Sequence, residues 1–80
     1  MIKQAAIMYN GVIFKGDRHR NIISSNKHLP LKNGVEGFIT TQGLFLNRYE
    51  AAKIAYMTGQ IKNKKIKLVS EDRDWETTLV

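Results

Sequence analysis

Arg18-His19-Arg20 is the densest set of side chains in this 80-residue chain that could act on an anion. Arginine forks hold two phosphate oxygens at once, and histidine donates from either ring nitrogen. The tripeptide follows Gly16-Asp17, a break and an N-cap, so it falls at the start of an expected helix, where unpaired amides and the helix dipole favour negative charge. The cluster predicts a phosphate seat; the plainer reading is a solvated opening to a polar helix. Phe38 with Thr40 and Thr41 adds a stacking face and hydroxyl donors of the kind that hold splayed bases, although a Phe in a short strand is more often core. Tyr9, Phe14, Tyr49 and Tyr56 carry the same ambiguity. The lysines from Lys62 to Lys67 read as a solvated loop or as a patch sensing charge and not sequence.

Catalysis has less to work with. His19 and His28 stand apart with no paired carboxylate motif around them, and neither an HxxxH spacing nor an acidic metal cluster occurs. Ser24, Ser25 and Ser70 lack a nucleophile setting, and the chain has no glycine-rich phosphate loop. His28, before Leu29-Pro30, suits a helix end favoured by the dipole. The expectation is a protein that binds an anionic, nucleotide-like ligand and is not an enzyme, with no cofactor and no metal.

The elements that must position these residues follow from turn chemistry. Asn10-Gly11 between Ala5-Ala6-Ile7-Met8-Tyr9 and Val12-Ile13-Phe14 predicts a hairpin, because both turn positions need positive φ. With Asp17 as N-cap a helix runs from Arg18 to about Lys27; Leu29-Pro30 ends it and residues 32–34 form a loop. Residues 37–40 and 44–46 make a second short hairpin around Thr41-Gln42-Gly43, with Gly43 left-handed. Asn47 and Glu50 have capping-box spacing for a helix from Arg48 to about Thr58, with Ala51, Ile54, Ala55 and Thr58 on one face and Gly59 closing it. Residues 60–69 suit a half-exposed strand or an ordered loop, and residues 70–75 a short turn anchored by the single Trp. The segment 10–18 echoes 42–48: each is a turn, an apolar strand, a cap and an arginine opening a helix. The predicted fold is a small α+β domain spanning 1–80, two short hairpins each followed by a helix. Its open sheet edges argue for self-association.

Composition sets the bounds. The chain is 42% hydrophobic and 25% charged, with no apolar run of membrane-spanning length and no cysteine, which fits a folded cytosolic protein. Its N-terminus has no signal-peptide pattern. The net charge of +6 hides an asymmetry: residues 1–70 balance to +9, residues 71–80 to −3. A basic body attracts phosphates in a salt-dependent way.

Gly-Asp-Arg-His-Arg (16–20), Gly-Phe-Ile-Thr (37–40), Gly-Leu-Phe-Leu-Asn-Arg-Tyr-Glu-Ala-Ala-Lys-Ile-Ala (43–55), Gly-Gln-Ile (59–61) and Ser-Glu-Asp (70–72) together resemble a family of small phage proteins, similar to the anti-CBASS nucleotide sponges. The pattern covers nearly the whole chain. Arg20 stands where that pattern has a second His, Asn47 where it has Asp, and Arg73-Asp74-Trp75 extends its end. The resemblance implies an oligomer, a dimer or tetramer, that sequesters a cyclic oligonucleotide, most simply a cyclic dinucleotide, in the cytoplasm of an infected bacterium. It further implies that Arg18 and His19 contact phosphate or base, with Phe38, Thr40 and Thr41 lining the same pocket; Arg20, a candidate from the cluster itself, is the departure that touches this site. A basic module binding nucleic acid or a host protein is the alternative.

Overall fold

The computed structural model describes residues 1–72 and 74–76; Arg73, assigned above to the tail turn, and residues 77–80 lie outside the described residues. β1 (Ile2–Tyr9) and β2 (Val12–Gly16) form the first hairpin, with Tyr9 opposite Val12. Asn10 and Gly11 take φ of 50° and 75°, the doubly left-handed turn whose twist matches that of the strands. β3 (Val35–Thr40) pairs antiparallel with the other side of β1, placing Phe38 opposite Ala5, and β4 (Phe45–Asn47) pairs with β3. The sheet order is therefore β2-β1-β3-β4, and each hairpin leads into a helix, α1 (His19–Ser25) and α2 (Arg48–Met57).

The core joins Ile2, Ala5, Ile7 and Phe38 from the sheet to Ile22 of α1 and to Ala51, Ala52 and Ala55 of α2. Alanines on α2 allow a close approach to the sheet, while Leu31, Ile61, Leu68 and Trp75 close the remaining space from the connections. The Asn47–Glu50 capping box forms as its spacing predicts, with Glu50 N donating to Asn47 Oδ1 at 2.8 Å and Asn47 N to Glu50 Oε1 at 3.0 Å. Such a cap contributes about 1 kcal/mol. Gly59 ends the helix at φ 77°, and Gly43 is left-handed at 86°.

Four local expectations need correction or narrowing. Asp17 is not the N-cap of α1: Arg18 holds that position in an extended conformation, without a side-chain cap, and the first helical amide, His19 N, donates to Ser70 Oγ at 3.0 Å. A tertiary hydroxyl thus replaces the local cap. At the other end α1 stops at Ser25, short of Lys27, because Asn26 leaves helical space and its side-chain amide donates to Ile22 O at 2.8 Å. The loop at 32–34 is partly a single 3₁₀ turn, Leu31–Asn33, that buries Leu31. Residues 60–69 form no strand; Ile61 and Leu68 turn inward as irregular chain, and Ile66 is 84% exposed.

Gly37 is fixed by close approach. A Cβ there would meet the Leu46 carbonyl oxygen and the Phe45 ring, whose Cζ would lie at 2.6 Å. Only a bare Cα lets β4 sit this near β3.

Candidate functional site

Arg18, His19 and Phe38 converge on the C-terminal turn. The Arg18 guanidinium donates to Asp17 O at 2.9 Å and to Glu76 Oε1, and lies 5.8 Å from the Trp75 ring centroid. The Glu76 hydrogen bond raises the Arg18 pKa further above its ordinary value, so its charge is constant in any biological medium. His19 Nε2 lies 2.8 Å from the Gly37 carbonyl oxygen, which can only accept, so that nitrogen carries the proton and Nδ1 faces Glu36 Oε1 at 3.7 Å. Phe38 meets His19 and Trp75 edge to face, each at a centroid distance of 5.3 Å, and such pairs add about 0.5–1.5 kcal/mol beyond burial. Arg18, His19 and Phe38 are buried, and Arg18 and His19 have hydrogen-bond partners, whereas the buried Trp75 Nε1 beside them has none among the described residues. A ligand reaching Arg18 or His19 would have to displace Glu76 or Gly37.

The other expected site residues point elsewhere. Thr40 is buried, and its Oγ1 accepts from Leu44 N at 3.1 Å and Gln42 N at 3.3 Å, which shapes the β3–β4 turn. Thr41 is exposed, with its amide donating to Met1 O at 2.8 Å. Arg20, one residue after His19, faces solvent with its side chain 79% exposed; Glu71 approaches only to 4.0 Å, an exposed pair of small worth.

Arg20 opens a cleft of about 600 Å³ between the outer face of α1 and the segment that folds back after it. Its floor is Ile23, Leu29, Pro30 and Leu31, and its cations are Arg20, Lys27 and Lys32, with His28 among them. The chain builds this wall because α1 stops early. Leu29 N donates to Asn26 O and Leu31 N to Leu29 O, both at 2.9 Å, two tight turns that carry Lys27, His28 and Lys32 back beside the helix. Among the described residues no carboxylate lines the cleft, although Glu71 comes within 4.0 Å of Arg20, so Lys27 and Lys32 keep their field for an incoming anion. Lys27, His28 and Lys32 escaped the motif reading. The available signal was the gap in acids: none occurs between Asp17 and Glu36, a stretch with four Lys or Arg and both histidines.

Not every lysine is available in this way. Lys65 Nζ lies 2.8 Å from Asp72 Oδ2 and 2.8 Å from Asp74 Oδ2, and hydrogen bonds to these acids raise its pKa. The stabilisation from that shift is fully present below the ordinary lysine value and is lost only as pH climbs beyond it. Across neutral pH the pair simply anchors the tail.

Among the described residues no three His, Cys, Asp or Glu side chains group to hold a metal ion, and no helix is long and apolar enough to cross a membrane. The model of one family, described as Phage T4 y16D protein, matches residues 1–74. No curated protein and no solved structure is significantly similar to the chain.

Proposed function

The chain belongs to the phage T4 y16D protein family, and from that premise we propose that it is an immune-evasion protein that captures a cyclic dinucleotide signal of bacterial antiviral defence and holds it uncleaved. The observation that carries the proposal is the α1 cleft: positive side chains over an apolar floor, with no lining carboxylate among the described residues. A cyclic dinucleotide offers the complement, two phosphates for Arg20, Lys27 and Lys32 and flat bases for Ile23, Leu29 and Pro30. The cleft volume falls within the roughly 300–1,000 Å³ usual for small-molecule sites.

Holding is favoured over cleavage because, among the described residues, no carboxylate lines the cleft beside His28 to orient its ring for general-base work. The cleft is an open surface feature of a domain measuring 37 × 22 × 20 Å, so full enclosure of the ligand takes a second copy closing over the open side. Incubation with a panel of cyclic di- and trinucleotides, removal of free ligand, heating and chromatography should return a captured cyclic dinucleotide intact. Linear products would make the protein an enzyme, and failure to retain any nucleotide would refute the proposal.

A further inference from the structure

We infer a second binding surface, on the outer face of α2, that takes single-stranded nucleic acid. Tyr49, Lys53 and Tyr56 follow one another at helical spacing along that face, and the two tyrosine residues are 55% and 44% exposed. Two adjacent recesses of about 420 and 470 Å³ flank this stripe and share Lys53, Lys64 and Lys65 as a common wall. Each recess has its own tyrosine and its own exposed apolar side chain: Tyr56 with Met57 in one, Tyr49 with Ile66 in the other. The arrangement is a repeat, ring, cation, ring.

A strand of nucleic acid has the matching repeat, base, phosphate, base. Stacking on exposed rings needs bases whose faces are open, which a duplex does not offer. The charge is also complementary. Lys53 and Lys64 make no ion pair among the described residues, and Lys62 and Lys67 are exposed on the same connection. Lys65 is held by Asp72 and Asp74, a triad with a formal charge of −1, so the attraction for phosphate comes from Lys53 and Lys64 with Lys62 and Lys67 beside them. Glu50, the one acid in α2, is turned back to accept from Asn47 N in the capping box. The recesses are surface grooves, so a chain can pass across both.

This surface shares no lining residue with the α1 cleft, so the two assignments stand or fall separately. The test is fluorescence anisotropy of a labelled thymidine oligonucleotide and of a duplex of equal length, titrated with the full chain. The single strand should bind more tightly than the duplex, and its affinity should fall as salt rises. The double variant Tyr49→Ala, Tyr56→Ala should weaken single-strand binding about tenfold or more, whereas Tyr49→Phe, Tyr56→Phe should keep it and cyclic dinucleotide capture should be unchanged in both. Unaltered affinity in the double alanine variant, tighter binding of duplex, or no binding of the single strand would each overturn the assignment.

Discussion

Gln60→Ala is expected to remove most of the protein's stability. The Gln60 side chain is buried between the two ends of the chain: Oε1 accepts from Ile2 N at 2.7 Å, while Nε2 donates to Ile2 O at 2.7 Å and to Trp75 O at 2.5 Å. Alanine leaves these three backbone groups without that partner, each at about 1–3 kcal/mol. A domain of this size has a total stability of roughly 4–12 kcal/mol. The denaturation midpoint should therefore drop sharply, and a loss below about 1 kcal/mol would mean that water or a rearranged neighbour satisfies the groups. Gln60→Glu is the sharper variant, since it keeps the acceptor for Ile2 N and sets a carboxylate against two carbonyl oxygens.

The double charge reversal Lys27→Glu, Lys32→Glu should abolish capture of a cyclic dinucleotide while leaving the fold intact. Both side chains are exposed, and surface substitutions of this kind change stability by about 0.5 kcal/mol or less. Hydrogen bonds to a charged group contribute about 1.5–3 kcal/mol each. Losing two of them and adding repulsion weakens binding by about a hundredfold or more. Equilibrium dialysis reads the affinity and thermal denaturation the fold; affinity within a few-fold of wild type, with the fold retained, would remove the cleft from the account.

Much of the architecture is legible in the chain because local chemistry dictates it. Asn10-Gly11 permits little except the tight hairpin, and Asn47 with Glu50 caps α2 as spaced. The alanine face of α2 points where its period sends it. What local patterns miss is what tertiary partners decide. Asp17 has the chemistry of an N-cap, yet Ser70, 51 residues away from His19, supplies the hydroxyl. Lys65-Ile66-Lys67-Leu68 alternates like a strand, but pairing needs a partner edge, and among the described residues a single backbone bond, Leu68 N to Arg48 O at 3.0 Å, ties the Leu68 end of it to α2.

Of the residues that line the candidate cleft, the sequence singles out Arg20 as a ligand contact. Arg18-His19 looks like an anion seat in one dimension; in three it is a buried junction with Gly37, Ser70 and Glu76. The same holds for the Gly-Phe, Gly-Gln-Ile and Ser-Glu-Asp segments. Gly37 admits β4, Gln60 ties the chain ends, and Ser70 caps α1. Several of the segments behind the family resemblance therefore have structural reasons to be there. Arg20 alone of the tripeptide turns outward, and its partners in the cleft, from Ile23 to Lys32, lie on helix, turn and Pro30 and share no periodic signature.

The most direct test of the cleft assignment is an amide NMR titration of the ¹⁵N-labelled protein with a cyclic dinucleotide. The account predicts saturable shifts concentrated at Arg20, Ser24, Lys27, His28 and Lys32. Shifts centred on α2, or no shifts at saturating ligand, would contradict it.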